Sequence, residues 1–179
     1  VSIEGTQFRP MPPAATDSAP QWPWFRGEGT FVIQADAGDD VSFRAKFGQV
    51  GNYSGEQMPV TVTGPSGQVV HEAQIPFQDE ATVRFAAPET GIYRVVADPQ
   101  KNRAMLSDSS HAMAILGTGD RIHFMQHSGK LQFWVPQGTE LFAVRVSGDR
   151  AEEALRAALI DPAGEIVDEV DNQFVAYQF

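Results

Sequence analysis

Residues 31–48 read FVIQADAGDDVSFRAKFG, and this stretch decides the fold. An apolar run at 31–35 leads into a turn rich in aspartate, and apolar and polar residues then alternate over 41–47. Side chains that alternate with a period of two point to opposite faces of a β-strand. The stretch therefore predicts two strands joined by a turn, the second of which buries one face. The residues of that face are Val41, Phe43, Ala45 and Phe47.

The same kind of pattern continues along the chain. Glycine (16 residues) and proline (12 residues) separate short runs that are rich in Val, Ile, Phe and Thr. Short runs at regular spacing between turn residues are typical of an antiparallel β-sandwich. We therefore predict an all-β fold, with further strands at 60–63, 69–70, 82–85 and 92–96.

An internal repeat relates the two halves of the chain. Residues 131–148, LQFWVPQGTELFAVRVSG, align with 31–48 without a gap. Residues 157–169, AALIDPAGEIVDE, align with 60–72, VTVTGPSGQVVHE, and the two matches occur in the same order. Self-similarity of this kind marks one structural unit that is used twice. We therefore predict two tandem antiparallel β-sandwiches of jelly-roll-like form.

The second copy is predicted to lack its closing strand. Residues 175–179 align with 81–85, but only the first copy continues, through AAPETGIYRVVAD at 86–98. A sandwich without one strand exposes a pairing edge. Two explanations stay open: the parent chain was cut here, or a strand at 1–8 crosses over a proline-rich connector at 9–23 and fills the gap. We prefer truncation.

These patterns divide the chain into three parts. They are an N-terminal strand and proline-rich connector at 1–24, a first sandwich at 25–115 and a second, truncated sandwich at 116–179. Local propensity and the repeat disagree at 149–159, DRAEEALRAAL, which is rich in helix-forming residues. The alignment predicts an extended segment at 157–160 instead. We follow the repeat, because tertiary context overrides short helical signals.

Composition argues against several classes of protein. The chain of 179 residues carries a formal net charge of −10, which repels a nucleic-acid backbone. It has no cysteine, so it forms neither disulfides nor thiolate metal sites. No apolar run reaches the roughly 20 residues that a membrane-spanning helix needs. The sequence begins at Val1 without a leader-like segment, and we expect a mature piece of a longer, secreted or periplasmic protein.

No known catalytic motif stands out. A nucleophile elbow, a phosphate-binding loop and an HExxH zinc motif are all missing from the sequence. Ser109, Ser110 and His111 place hydroxyl groups beside an imidazole, but sequence neighbours seldom face each other, so we interpret them as a linker. His123 and His127 are predicted on a strand and its loop, where four residues span ~13 Å, which disfavours a shared metal. We therefore expect a protein without catalytic residues.

Three carboxylates, Asp36, Asp39 and Asp40, crowd one turn. Carboxylates close to turn carbonyls form an oxygen-rich set of the kind that Ca²⁺ prefers. The aligned turn of the second copy has Pro136 and Thr139 at two of these positions, which favours ordinary polar turn chemistry. Ca²⁺ is the one cofactor that the sequence suggests, and both interpretations stay open.

Most phenylalanines fall on inward positions of predicted strands, but four other aromatic residues do not. Trp134 is predicted to point outward, in the opposite phase to the apolar residues around it. Trp22 and Trp24 flank a proline ahead of the first sandwich, and Tyr53 lies in the loop GNYSG. Such rings stack on sugars or pack against another domain. All four are ligand-binding candidates; for the first two tryptophans the alternative is a plug that closes the sandwich.

The turns and strands of the first copy resemble bacterial pre-peptidase C-terminal-like domains. The residues concerned are GDDV at 38–41, GPSG at 64–67 and APETGIYRV at 87–95. In the second copy, LQFWVPQGT at 131–139 and DPAG at 161–164 are similar to sandwich modules attached to secreted bacterial glycoside hydrolases and polysaccharide lyases. The resemblance implies a jelly-roll-like accessory module without catalytic residues. Its partner would be a polysaccharide or a catalytic domain of the parent chain.

Two functions follow as expectations. The first is a non-catalytic, extracytoplasmic accessory module that binds polysaccharide or docks a larger secreted enzyme. Sugar rings would stack on the exposed aromatic side chains, while polar neighbours hold the hydroxyl groups. The alternative is a purely structural or assembly module, whose outward aromatic residues pack against a partner domain. The exposure and arrangement of the rings distinguish the two.

Overall fold

The computed structural model describes residues 22–116, 122–126, 128–133, 135, 137–148 and 155–172. Strands are the regular elements of this part of the chain, and none of its residues is helical. It accordingly has no helix that could cross a membrane. The strands are β1 Trp24–Arg26, β2 Gly29–Ala35, β3 Asp40–Gly48, β4 Gln57–Thr63, β5 Val69–Pro76, β6 Glu80–Ala86, β7 Gly91–Ala97, β8 Arg103–Ser107, β9 Met113–Ile115, β10 His123–Met125, β11 Leu155–Ile160 and β12 Ile166–Asn172.

Strands β1 to β10 form two five-stranded antiparallel sheets, in the orders β10-β1-β8-β3-β6 and β5-β4-β7-β2-β9. The hydrogen-bonded pairs are nested: β4 pairs with β5, β3 with β6, β2 with β7 and β1 with β8. Eight strands nested in this way across two sheets define a jelly roll. The short strands β9 and β10 each extend one sheet at its edge. The predicted all-β sandwich of jelly-roll form is therefore confirmed.

The alternating pattern of the sequence positions the core between the sheets. In the pairing of β3 with β6, Val41 opposes Phe85 and Phe43 opposes Val83. All four side chains are buried, because they share the inward face of the sheet. The strands predicted at 31–35, 41–47, 60–63, 69–70, 82–85 and 92–96 lie within β2 to β7.

Tyr93 is the one buried tyrosine of the core, and it ties β7 to the turn before it. Its hydroxyl donates a hydrogen bond to the carbonyl oxygen of Glu89 at 2.5 Å. The amide of Glu89 in turn donates to the same hydroxyl oxygen at 3.2 Å. A buried hydroxyl needs such partners, because an unpaired polar group inside the core is costly.

The chain divides into two compact units after Leu131. The jelly roll belongs to the first unit, which includes β10, since β10 pairs with β1. The first unit therefore extends beyond residue 115, where the sequence placed the end of the first sandwich. The strand predicted at His123 is observed as β10, and its pairing with β1 assigns it to the jelly roll.

In the second unit, β11 and β12 form a hairpin whose turn matches the turn between β4 and β5. The amide of Asp161 donates to the carbonyl of Glu165 at 2.9 Å, and the amide of Gly64 donates to the carbonyl of Gln68 at 2.8 Å. The extended conformation predicted for 157–160 is confirmed, because these residues lie in β11.

The hairpins β4–β5 and β11–β12 also share a glycine of positive φ and a shift of register. Gly67 and Gly164, which the sequence alignment matches, both have positive φ, at 84° and 94°. Each hairpin has a shift of register at the matching step, between Val62/Thr63 in one and Leu159/Ile160 in the other. A bulge at the same position bends both ladders in the same place.

Residues 137–148 align with the turn and strand of β3, but the structure assigns no strand to them. A strand forms only where its backbone groups find a hydrogen-bonded neighbour. The apolar side chains here are correspondingly exposed, Leu141 at 88%. Phe142 nevertheless packs edge-on against Phe133, with ring centroids 5.6 Å apart. The strand predicted at 1–8 and the match at 175–179 lie outside the described residues.

Candidate functional site

Strands β1 and β8 place charged and aromatic side chains side by side on the outer face of their sheet. Phe25 and Ala104 are buried, so Trp24, Arg26 and Arg103 point away from the core. Phe25 pairs with Ala104 in antiparallel register, which places Arg26 opposite Arg103. Residues that oppose each other in such a ladder have Cβ atoms roughly 5 Å apart.

Trp24 and Arg103 contact each other diagonally across these strands. The Cζ atom of Arg103 lies 4.4 Å from the centroid of the Trp24 ring, within the range of a cation–π interaction. Gly48 of β3 lies beneath both, since a Cβ atom there would be 3.1 Å from Arg103 Nε and 3.2 Å from Trp24 Cζ3. The glycine therefore leaves room for the two side chains to lie close to the sheet. Trp24 remains half-exposed.

Tyr53 is presented by the loop 49–56, and 44% of its surface is exposed. Buried Asn102 holds this loop from inside: its Oδ1 accepts from the Val50 amide at 3.1 Å, and its Nδ2 donates to the Ser54 carbonyl at 3.0 Å. The Tyr53 amide donates to the Val50 carbonyl at 3.1 Å. The loop is thus ordered before any ligand arrives, which lowers the entropic cost of binding.

Two cations flank the Tyr53 ring. The Arg26 Cζ lies 5.4 Å from the ring centroid, and the Lys101 Nζ lies 5.9 Å from it. Lys101 follows a turn that is tied to the start of the jelly roll, because the Gly27 amide donates to the Gln100 carbonyl at 3.2 Å. These contacts, with the register that places Arg26 opposite Arg103, group five side chains at one end of the sheet. We call them the aromatic–cation row: Trp24, Arg103, Arg26, Tyr53 and Lys101.

The charge of the row is not neutralised within the described residues. Elsewhere on the same face, Arg44 and Lys46 are paired with Glu80, at 3.6 and 3.4 Å. In the part of the chain that the structure describes, no carboxylate forms an ion pair with any of the three cations of the row. The row is therefore a local concentration of positive charge on a chain whose net charge is −10.

The structure brings two of the four aromatic candidates together. Trp24 and Tyr53 both belong to the row and are linked through its two arginines. Trp22 is half-buried beside buried Pro23, ahead of β1, and is not a member of the row. Trp134 lies outside the described residues.

Of the three aspartates predicted as a Ca²⁺ site, Asp39 forms two side-chain hydrogen bonds. Asp39 Oδ2 accepts a hydrogen bond from the Asp36 amide at 2.9 Å and contacts His111 Nε2 at 3.1 Å. These two hydrogen bonds hold the pKa of the Asp39 carboxyl below its ordinary value. Asp40 is exposed at the start of β3. Among the described residues no group of three or more acidic or histidine side chains is placed to hold a metal, so the Ca²⁺ prediction gains no support.

Ser110, His111 and Asp39 form a continuous hydrogen-bonded chain. The Ser110 hydroxyl lies 2.9 Å from His111 Nδ1, so these sequence neighbours do face each other, contrary to expectation. In a hydrolase triad the serine faces Nε2 and the carboxylate faces Nδ1, whereas here the order is reversed. Ser110 Oγ also accepts from the Ser42 amide at 2.9 Å. The arrangement ties the segment after β8 to β3.

A small cleft of about 200 Å³ lies at the edge of the jelly roll where β9 and β10 end the two sheets. Its wall is of mixed character, with Phe31, Ile115 and Phe124 among its apolar members and Glu28, Thr30 and Arg94 as polar members. Pockets that enclose organic ligands usually measure roughly 300–1,000 Å³. Trp22, Trp24 and Tyr53 do not line this cleft, and it is a weaker site than the row.

Comparison with protein-family models and with curated proteins found no match to this chain.

Sequence reasoning found the two rings of the row and missed its cations. The signal was present in the triplet Trp24-Phe25-Arg26, where burial of the middle residue directs both neighbours outward. Arg103 and Lys101 carry no comparable signal, because β8 joins β1 only through the nested topology. Asn102 could not be recognised either, since its two partners lie in a loop about fifty residues earlier.

Proposed function

We propose that this chain is a non-catalytic, extracytoplasmic accessory module that binds polysaccharide through the aromatic–cation row. The observation that carries the proposal is the pair of half-exposed rings, Trp24 and Tyr53, on one end of the outer face of a rigid jelly roll. Aromatic rings present flat apolar surfaces against which the C–H faces of sugar rings stack. The neighbouring guanidinium and ammonium groups are hydrogen-bond donors for sugar oxygens.

The geometry supports binding. Trp24, Arg26 and Arg103 lie on strands and Tyr53 lies on a loop braced by Asn102, so this part of the surface is preorganised. The row presents apolar ring faces and hydrogen-bond donors, the two features that glycan binding requires. A surface of this composition can hold and orient a glycan chain.

Affinity gel electrophoresis tests the proposal. The purified chain is run through gels that contain one soluble polysaccharide each, alongside Tyr53→Ala and Trp24→Ala variants. We expect retardation of the parent chain by at least one polysaccharide and its loss in Tyr53→Ala, because Tyr53 is exposed and its removal leaves the core intact. Circular dichroism confirms that both variants are folded. Retention that survives both substitutions would show that the row is not the glycan site.

A second function, assembly with a partner domain, is favoured by a separate observation in the second unit. Leu141, Val144 and Val146 are 88%, 54% and 42% exposed, and exposed apolar side chains of this density are typical of contact surfaces. Sedimentation velocity over a range of concentrations measures the self-association of the chain. Loss of self-association in Leu141→Ser would support the assembly function, and a monomer at every concentration would argue against self-assembly through this surface.

The matched hairpins support the proposal that the two units are tandem copies of one ancestral sandwich. Their turns share the same hydrogen bonds, the same positive-φ glycine and the same bulge. In the jelly roll, β4 and β5 are the innermost of the nested pairs. A hairpin with a short loop closes at low entropic cost, so the innermost pair can form without the rest.

A further inference from the structure

We propose that the ligand of the aromatic–cation row is an acidic polysaccharide, one whose sugars carry carboxylate or sulfate groups. This inference rests on the proposed function and narrows it to a substrate class. Three features of the row support an acidic ligand: its unbalanced charge, the opposition of two arginines, and one buried donor without a partner.

The first feature is that the positive charges of the row are not paired with carboxylates of the described residues. Arg26 and Lys101 lie 5.4 and 5.9 Å from the Tyr53 ring, and Arg103 lies 4.4 Å from the ring of Trp24. None of these cations forms an ion pair with a carboxylate of the described residues. By contrast, Arg44 and Lys46 on the same face are paired with Glu80. The positive charge is thus left open beside the two rings that would stack on sugars.

The second feature is the opposition of like charges. The register of β1 and β8 places Arg26 opposite Arg103. Like charges that face each other across a ladder destabilise the sheet. An anion bound between the two guanidinium groups relieves this repulsion. Binding of a neutral sugar does not.

The third feature is a buried donor. Nε of Arg103 is inaccessible to solvent and has no hydrogen-bond partner within the described residues. The guanidinium is therefore held by stacking on Trp24, not by a protein acceptor. A fixed guanidinium whose remaining N–H groups are free is suited to planar oxyanions, which it binds in a bidentate manner.

Together these features describe a site that recognises the sugar ring of a ligand and, beside it, an acidic group on the same sugar. A sugar ring stacks on Tyr53 or on the exposed part of Trp24, and its carboxylate or sulfate lies between Arg26 and Arg103. Lys101 adds a mobile positive charge at the exposed side of Tyr53. Because the strands position the two arginines, the spacing of ring and charge is set by the sheet.

Isothermal titration of the full chain tests this inference. The probes are polygalacturonate, dextran sulfate, neutral galactan and polyglutamate, each at low and high salt. The variants are Arg26→Gln, Arg103→Gln and Tyr53→Ala. Arg84→Gln is the matched control, because Arg84 lies on the outer face of the same sheet but on β6, away from the row. Thermal melting confirms that each variant is folded.

We expect polygalacturonate or dextran sulfate to bind and galactan and polyglutamate to bind more weakly. Arg26→Gln and Arg103→Gln should each weaken binding of the acidic polysaccharide about tenfold, because each variant loses one charge-assisted hydrogen bond. Arg84→Gln should change the affinity less than about twofold, since a screened charge that does not contact the ligand contributes little. The polyanion that binds more tightly identifies carboxylate or sulfate as the recognised group.

Other results overturn the inference in distinguishable ways. If galactan binds as tightly, and only Tyr53→Ala abolishes binding, the proposed function stands but the ligand is not acidic. If polyglutamate binds as well as the acidic glycans, or Arg84→Gln weakens binding as much as Arg26→Gln, the row is not a specific acidic-sugar site. If no glycan binds, the inference and the proposed function fail together.

Discussion

The guanidinium group of Arg103 stacks on the ring of Trp24, with 4.4 Å between Cζ and the ring centroid, and both lie over Gly48. The pair belongs to the outer face of the sheet, so it contributes little to the core. The stacking of the pair does determine the positions of the Trp24 ring and of the Arg103 charge on the surface. Gly48 is therefore a site at which the row can be perturbed without touching either functional side chain.

Gly48→Ala should displace the stacked pair. The added Cβ would lie 3.1 Å from Arg103 Nε and 3.2 Å from Trp24, so the neighbours have to move by a few tenths of an ångström. We expect ligand binding to weaken by roughly three- to tenfold, because a preorganised surface loses its fit. The free energy of unfolding should change by less than about 1 kcal/mol, since alanine suits a strand better than glycine.

Titration calorimetry and urea unfolding measure these two effects. Ser42→Ala, an outward position at the other end of β3, is the control and should leave binding unchanged. Unaltered binding by Gly48→Ala would mean that the position of the Trp24–Arg103 pair does not matter to the ligand.

Asn102→Ala should release the loop that carries Tyr53. The substitution leaves the Val50 amide and the Ser54 carbonyl without the partners that now lie at 3.1 and 3.0 Å. We expect a loss of about 1–3 kcal/mol in the free energy of unfolding, typical of unpaired buried polar groups. Hydrogen exchange of residues 50–54 should accelerate, and binding that depends on Tyr53 should weaken.

Asn52→Ala is the matched change in the same loop, since Asn52 is exposed. It should alter stability by less than about 0.5 kcal/mol, as surface substitutions usually do. Equal exchange rates in the two variants would contradict a bracing role for Asn102.

Asp39 should make folding stability depend on pH in the acidic range. Hydrogen bonds from the Asp36 amide and His111 lower the pKa of Asp39 in the folded state. The unfolded chain therefore takes up the proton first as the pH falls. The stabilisation is fully present above the ordinary carboxyl pKa, about 3.9, and is lost as the pH falls through the lowered value.

Urea unfolding between pH 7 and pH 2 compares the parent chain with Asp39→Asn. The parent chain should be the more stable at neutral pH, and the difference should shrink at the acidic end. In a His111→Ala background the difference should be smaller throughout, because one of the two hydrogen bonds is gone. A difference that grows on acidification would have the wrong sign for this explanation.

Tyr93→Phe should destabilise the jelly roll through one hydroxyl group. Tyr93 is fully buried, and its hydroxyl serves both the carbonyl and the amide of Glu89. Removing it leaves two backbone groups without this partner, and we expect a loss of about 1–3 kcal/mol. Tyr53→Phe makes the same chemical change at an exposed ring and should alter stability by less than about 0.5 kcal/mol. Thermal unfolding of both variants measures the contrast, and equal melting temperatures would refute it.

Some strands of this protein can be predicted from its sequence, and others cannot. The strands from β2 to β7 were predictable because each buries one face, and burial imposes a period of two on residues such as Val41 and Phe43. The hairpin β11–β12 was predictable although its residues favour helix, because the repeat supplied information that local propensity lacks. The strand at His123 was predicted, but its place in the jelly roll was not, because that depends on its pairing with β1.

The candidate site also combines features that can be predicted from the sequence with features that only the tertiary structure reveals. The sequence by itself determined the all-β class, the inward face of each long strand and the exposure of Tyr53 in a glycine-rich loop, because these depend on near neighbours along the chain. Only the tertiary structure decided that Arg26, Arg103 and Lys101 surround the two rings and that Asn102 braces the loop. Those contacts join positions some thirty to eighty residues apart, and they exist because nested antiparallel pairing places β1 beside β8.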